Sequence, residues 1–188
     1  AFVGNPCGQI LSGNAFNTVL DGMTTERALY LRVQGDADVE VRNLFFANGL
    51  GTGIFQRGGG LLVNGVEGYV GDIMIENNAF LNNTANFGGA ISFFRGDKFT
   101  FKNNLVTINH SVAGSAVEAV SNNAFGLRIT NNTIYFNKRT SRITNFHIKN
   151  KTFRTNPNRI FINNCGNALT NNFLKIGYNY LIFIIRCS

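Results

Sequence analysis

The chain has 188 residues, of which 44% are apolar and 14% are charged. This length suits one domain with a buried core, and the composition excludes disorder driven by high charge and low hydrophobicity. The 21 Gly, the two Pro and the frequent Asn favour short strands joined by tight bends over long helices.

The net charge of +7 is unevenly distributed along the chain. Residues 1–118 hold all ten acids and seven bases, a net charge of −3, whereas residues 119–188 hold ten bases and no acid. A basic segment of this kind suits a polyanion such as acidic polysaccharide or nucleic acid. Asn, Lys, Ile, Phe and Tyr all increase there as well, so we favour compositional drift and expect no nucleic-acid partner.

Related segments recur along the chain. Each copy of the main repeat reads as a strand, an Asn bend and a second strand. The copies are VEVRNLFFANG from Val39, IMIENNAFLNN from Ile73, FTFKNNLVTIN from Phe99 and LRITNNTIYFN from Leu127, with weaker copies at Ile148 and Leu169. Such units cannot bury an apolar face alone, but stacked units can.

A second family of segments lies between these copies and is rich in Gly. Its members are GGGLLVN from Gly58, GGAISFF from Gly88 and GSAVEAV from Gly114. They supply a third strand to each unit. The sequence therefore predicts an all-β fold, a parallel β-helix built from stacked coils.

Alternation of apolar and polar residues predicts which side chains face the core. Equivalent positions of the four main copies are expected to form one interior column of Val41, Ile75, Phe101 and Ile129. The residues that follow them, Arg42, Glu76, Lys102 and Thr130, are expected to form an outward column. Opposite charges in that column can pair from coil to coil.

Asn recurs at two neighbouring bend positions of the repeat. The first position holds Asn77, Asn103, Asn131, Asn150 and Asn171, and the second holds Asn78, Asn104, Asn132 and Asn172. Side-chain amides stacked about 4.8 Å apart can hydrogen-bond along the axis. These residues are predicted to form a structural ladder and not a ligand site.

One β-helix domain is predicted for residues 1–188. Residues 1–26 would start or cap it, residues 27–138 form well-marked coils, and residues 139–188 form degenerate basic coils or a poorly ordered tail. The apolar run Tyr180–Ile185 reads as a strand and is too short to cross a bilayer as a helix. The start at Ala1 without a leader suggests a processed product or a fragment.

The three cysteines, Cys7, Cys165 and Cys187, lack the spacing of a zinc or redox motif. Their odd number leaves at least one free thiol. Cys165 with Cys187 is the one pair that we consider for a disulfide.

No residue is assigned a catalytic, cofactor-binding or metal-binding role. Asp36, Asp38 and Glu40 alternate and could hold calcium, but alternation on a strand also places them on one solvated face, which we favour. Arg95, Gly96 and Asp97 spell an adhesion tripeptide, yet they read better as a bend. His110 and His147 lack partners at a meaningful spacing and are expected to be structural or exposed.

On these segments the chain resembles the right-handed parallel β-helix superfamily of pectate-lyase-like enzymes and bacterial surface proteins. It is most similar to polymorphic outer membrane protein repeats, whose F-x-x-N and G-G-A-I signatures appear as Phe80 to Asn83 and Gly88 to Ile91. The resemblance covers about residues 18–138. It implies a right-handed coil and a secreted or cell-surface location, associated with the bacterial outer membrane.

The expected function is a noncatalytic extracellular or cell-surface scaffold of adhesin type. Its expected partner is a polysaccharide or a glycan or protein of a host surface, bound by a lateral face or loops, with no cofactor and no transmembrane segment. One alternative is a fragment of a polysaccharide lyase or hydrolase. Another is a truncated fragment without independent function.

Overall fold

A computed structural model describes residues 2–3, 9–12, 18–53, 55–66, 68–96, 98–112, 116–121, 126–135, 137–139, 144–150, 159–164, 173–176 and 181–186. The side chains that it describes lie between residues 18 and 137. All the regular elements in these ranges are strands, and every strand pair is parallel. None of the described residues forms a helix that could cross a membrane. The predicted all-β fold, a parallel β-helix, is confirmed.

The strands form four parallel sheets. Sheet 1 contains Phe2–Val3, Leu29–Val33, Leu61–Gly65, Ile91–Phe94, Val117–Ser121, Thr144–Asn150 and Phe173–Ile176. Sheet 2 contains Gln9–Ser12, Val39–Arg42, Asp72–Glu76, Lys98–Lys102, Gly126–Thr130, Arg159–Asn164 and Leu181–Arg186. Sheet 3 contains Val19–Asp21, Phe45–Ala47, Ala79–Leu81, Leu105–Thr107 and Thr133–Tyr135, and sheet 4 contains Leu50–Gly51, Thr84–Ala85, His110–Ser111 and Lys138–Arg139.

Each complete coil visits the four sheets in the same order, and about four such turns are stacked. The Gly-rich segments supply sheet 1, and the two halves of the main repeat supply sheets 2 and 3. Sheet 4 consists of two-residue strands that the sequence did not reveal. Beyond the fourth turn, strands Thr144–Asn150 and Phe173–Ile176 extend sheet 1, while Arg159–Asn164 and Leu181–Arg186 extend sheet 2. The last of these confirms the strand predicted at Tyr180–Ile185.

The predicted interior column of sheet 2 is confirmed. Val41 pairs with Ile75, Ile75 with Phe101 and Phe101 with Ile129 in direct register. These four side chains are at most 3% exposed. In sheet 3 the inward column holds Phe46 and Phe80, whose rings stack at 4.7 Å and 8°. Continuous burial of apolar surface from coil to coil supplies the main favourable free energy of such a fold.

The two Asn positions of each bend have different structural roles. Asn77, Asn103 and Asn131 have φ of 57°, 55° and 53° and are exposed, so they turn the chain in the left-handed region that Asn tolerates. The next residues, Asn78, Asn104 and Asn132, are 2–3% exposed and form the hydrogen-bonded ladder. The prediction of a ladder is therefore confirmed for the second position alone.

The geometry of this ladder repeats from coil to coil. The Asn104 Oδ1 atom accepts a hydrogen bond from the backbone N–H of Asn78 at 2.9 Å. The Asn104 Nδ2 group donates to the carbonyl of Ile75 at 2.9 Å, and the backbone N–H of Asn104 donates to Asn132 Oδ1 at 2.8 Å. Each amide thus satisfies backbone groups of a bend that would otherwise be buried without partners.

The weak repeat copies after residue 138 were aligned wrongly. Ile148 and Asn150 lie in sheet 1, opposite Ala119 and Ser121, and not in the sheet 2 column or at its bend. The register of sheet 2 is continued by Ile162, which pairs with Ile129. The basic tail has few Gly residues to mark its sheet 1 strands, so the alternation pattern alone could not tell the two sheets apart. Leu169, Asn171 and Asn172 lie outside the described residues.

A second ladder occupies the bend between sheets 3 and 4. It consists of Asn83, Asn109 and Asn137, which are 0–4% exposed. Asn83 accepts a hydrogen bond from the backbone N–H of Gly49 at 2.8 Å, and Asn109 accepts one from Asn83 at 3.0 Å. The F-x-x-N signature therefore has a physical basis, because an inward residue, here Phe80, precedes the buried amide by three positions. The sequence analysis treated Asn83 as part of that signature only.

The G-G-A-I signature marks the return from sheet 4 to sheet 1. Gly88 has a φ of 58°, a conformation that L-residues seldom adopt. A Cβ atom on Gly89 would meet the backbone of His110 in the next coil. These two glycines let successive coils approach closely where the loop enters sheet 1.

Candidate functional site

The outer face of sheet 1 differs from a solvated sheet surface. Outward positions of this sheet hold Leu62, Ser92 and Glu118, which are 0–1% exposed. Residues 55–58, which we call the strap, reach this face through Arg57, which pairs with Glu118. The guanidinium carbon of Arg57 also lies 4.6 Å from the centroid of the Phe87 ring in the following coil. The strap thus contacts a polar cluster on the side of the sheet that faces away from the core.

Glu118 is the centre of this cluster. Its Oε2 atom accepts a hydrogen bond from the Ser92 hydroxyl at 2.7 Å and forms an ion pair with the Arg57 guanidinium. The Arg57 side chain is 19% exposed and the Glu118 side chain 2%. A buried carboxylate without a partner would be very costly, so Arg57 holds the strap onto the sheet.

Other contacts fix the strap in place. The Arg27 Nε group donates hydrogen bonds to the carbonyls of Arg57 at 3.0 Å and Gly58 at 2.9 Å. Burial lowers the pKa of Arg27, while the neighbouring Tyr30 and Glu26 act in the opposite direction. Phe87 and the strap exchange backbone hydrogen bonds, one of them from the Gly58 N–H to the Phe87 carbonyl at 3.0 Å.

Aromatic rings and guanidinium groups alternate across this outer face. Phe55 of the strap lies 6.4 Å from the Tyr30 ring and 6.1 Å from the Phe94 ring. The guanidinium carbons of Arg57 and Arg95 lie 4.8 Å and 5.0 Å from the centroid of the Phe94 ring. We call these five residues the aromatic–arginine strip. All three of its rings are partly exposed.

Asn64 lies beside the strip and contacts one of its members. Its Nδ2 group donates to the Tyr30 hydroxyl at 3.0 Å. Its Oδ1 atom is buried and has no hydrogen-bond partner among the described residues. The Asn64 side chain therefore anchors Tyr30, while its free acceptor is shielded from solvent.

Ser92 and Glu118 are register partners on neighbouring strands of sheet 1. In a nucleophile relay an imidazole lies between the hydroxyl and the carboxylate, so that it can take the hydroxyl proton. Here the Ser92 hydroxyl donates directly to the Glu118 carboxylate at 2.7 Å. This direct contact does not suit nucleophilic activation of Ser92.

The three acidic side chains that alternate in the sequence, Asp36, Asp38 and Glu40, do not meet at one point in the structure. Asp36 and Asp38 are exposed in the bend before strand Val39–Arg42, and Glu40 pairs with Arg42 at 3.1 Å. Asp38 Oδ1 accepts a hydrogen bond from the Asp72 N–H at 2.8 Å. Over the part of the chain that is described, no group of three or more His, Cys, Asp or Glu residues is placed to hold a metal ion.

Tyr69 lies beneath this acidic bend. Its hydroxyl donates to the carbonyl of Ala37 at 2.8 Å. Burial raises the pKa of Tyr69, and the charges of Asp38 and Asp72 raise it further. The hydroxyl therefore keeps its proton and acts as a structural donor.

The remaining sequence candidates fall at scattered places. Arg95 and Gly96 lie in the predicted bend between sheets 1 and 2, while Asp97 lies outside the described residues, as do the three cysteines. His110 is half-buried in sheet 4 and is separate from the cluster around Glu118.

The predicted outward column of sheet 2 is confirmed in its register but only partly in its pairing. Glu76 faces both Arg42 and Lys102 across the strands. Lys102 approaches Glu76 at 3.8 Å, whereas Arg42 pairs with Glu40 two residues earlier on its own strand. Arg42 reaches the nearer carboxylate, and such exposed pairs contribute little stability.

No sequence motif predicted the cluster around Glu118 or the aromatic–arginine strip. One signal was present, since Glu118 is the one charged residue within the apolar segment GSAVEAV, and a charge in a buried strand usually has a partner. The partner, Arg57, is 61 residues away in sequence and belongs to a loop, so spacing could not identify it.

The chain was compared with protein family models, curated proteins and solved structures, and none of them matched.

Proposed function

We propose that the chain is a noncatalytic scaffold of an extracellular or cell-surface protein, and that it binds a glycan on the outer face of sheet 1. The observation that carries this proposal is the aromatic–arginine strip. Its partly exposed rings offer flat apolar surfaces against which sugar rings can pack, and its guanidinium groups offer hydrogen-bond donors. The resemblance to surface-exposed β-helix repeats supports the extracellular setting by analogy of fold.

The arrangement of charged groups supports a binding function over a catalytic one. Glu118 is occupied by Arg57 and Ser92, and its direct contact with the Ser92 hydroxyl does not suit a nucleophile relay. A polysaccharide lyase or hydrolase would need a general base or an acid pair that is open to substrate. The lyase or hydrolase reading is therefore the second candidate and is tested in the same experiment.

The experiment is a glycan array followed by titration of the best ligand, together with assays for new reducing ends and unsaturated products. Wild-type protein should bind without cleaving. Tyr30→Ala and Phe55→Ala should each weaken binding by about tenfold or more, equivalent to about 1.4 kcal/mol, because each removes one packing surface. The matched control is Phe45→Ala, which removes a partly exposed ring from sheet 3.

Two results would overturn the proposal. One is the absence of binding to any glycan by folded wild-type protein. The other is turnover of a polysaccharide by wild-type protein that Glu118→Gln abolishes while the melting temperature stays close to that of the wild type. That second result would establish the enzymatic alternative.

A further inference from the structure

Charge is arranged differently on the outer faces of sheets 1 and 2. On sheet 2 acids and bases are interspersed, and six of its described side chains form three ion pairs, while Arg128 is exposed. Its ion pairs are Glu40 with Arg42, Asp72 with Lys98 and Glu76 with Lys102, at 3.0–3.8 Å. A face of this kind attracts neither anions nor cations strongly.

Among the side chains that the structure describes, the outer face of sheet 1 instead presents cations without an exposed acid. Arg32 and Arg95 are exposed, and neither forms an ion pair with a carboxylate of the described residues. The carboxylate on this outer face, Glu118, is buried and already paired with Arg57. Over its described side chains, the outer face of sheet 1 therefore carries positive charge that no exposed carboxylate balances.

The register places these cations around the rings. Arg32, Asn64 and Phe94 are successive members of one outward column, so Arg32 and Phe94 are about 9.6 Å apart along the axis at the usual strand spacing. Arg95 follows Phe94 directly, and its φ of 64° sets the direction in which its side chain leaves the bend.

We propose that the strip binds an anionic polysaccharide, whose carboxylate or sulfate groups contact Arg32 and Arg95 while its sugar rings pack on Tyr30, Phe55 and Phe94. This inference rests on the proposed function and adds the charge class of the ligand. Guanidinium groups donate paired hydrogen bonds that match the geometry of carboxylate and sulfate oxygens. Binding by guanidinium requires no bridging metal ion, so chelation leaves it unchanged.

The test compares dextran with dextran sulfate, a pair that differs in sulfate alone, and adds hyaluronate as a carboxylate polymer. Full-length wild-type protein should bind dextran sulfate or hyaluronate at least about tenfold more tightly than dextran, in the presence of EDTA, and added salt should weaken binding. The preferred polymer identifies the anionic group. The double variant Arg32→Gln, Arg95→Asn should bind the preferred anionic polymer about tenfold or more weakly than the wild type. Asn is chosen at position 95 because it tolerates positive φ.

The matched control is Arg42→Gln, Lys102→Gln, which makes the same change of net charge on sheet 2 and should bind like the wild type. An equal loss of affinity for the anionic polymer in both double variants would show a nonspecific charge effect and overturn the inference. Preference for neutral glycans would overturn it while leaving the proposed function intact, and absence of binding to any glycan would overturn both. Tighter binding of oligo(dT) that depends on Arg32 and Arg95 would assign the strip to nucleic acid instead.

Discussion

Asn104→Ala is expected to lower the free energy of unfolding by about 2–6 kcal/mol. The substitution removes the partner of two buried backbone groups, the N–H of Asn78 and the carbonyl of Ile75. Each buried group left without a partner costs about 1–3 kcal/mol. Because Asn104 links the coils before and after it, its loss also interrupts the ladder at its centre.

The measurement is equilibrium denaturation by urea, with Asn103→Gly as the matched control. Asn103 is the neighbouring residue, is exposed and has a φ of 55°, which glycine adopts without strain. The control should change the free energy of unfolding by less than about 1 kcal/mol. Equal effects of the two substitutions would mean that the buried amide does not support the stack.

Arg57→Met is expected to lower the free energy of unfolding by about 3–5 kcal/mol, because it leaves the buried Glu118 carboxylate without its cation. Methionine keeps much of the aliphatic bulk of the arginine. The loss of stability therefore comes mainly from the missing charge and less from lost packing. Backbone hydrogen exchange should also rise at Gly58, whose N–H bonds to Phe87 within the strap region.

The double variant Arg57→Met, Glu118→Gln should recover most of this loss. Glutamine is neutral, and its side-chain carbonyl can still accept the hydrogen bond from Ser92. A double-mutant cycle in urea gives the coupling between the two residues. A coupling near zero would show that Glu118 is neutralised by a group other than Arg57.

The sequence was sufficient for the fold because each coil repeats the same local chemistry. Alternation placed Val41, Ile75, Phe101 and Ile129 in one column, and the paired Asn residues marked the bend that follows it. These signals are local, and stacking then determines the rest. The sheet 4 strands were not predicted, because two residues are too few to show an alternation of apolar and polar side chains.

The candidate site could not be predicted from the sequence in the same way. The strip unites Tyr30, Phe55 and Phe94, which lie on different coils and a loop, and no motif connects them. Asn78 and Asn77 look equivalent in sequence, yet one satisfies buried backbone groups and the other turns the chain in solvent. The tail was misaligned because its sheet 1 and sheet 2 strands have similar apolar alternation once the Gly signals disappear.

The most direct test of the stacked-coil architecture is a solution NMR measurement of through-space contacts in the isotope-labelled full-length chain. Stacked coils should give cross-peaks between the side-chain amides of Asn78 and Asn104 and of Asn104 and Asn132, which are 26 and 28 residues apart in sequence. It also predicts contacts of Phe101 with both Ile75 and Ile129. Contacts that pair neighbouring strands of the chain in hairpin fashion, with these long-range contacts missing, would contradict the parallel β-helix.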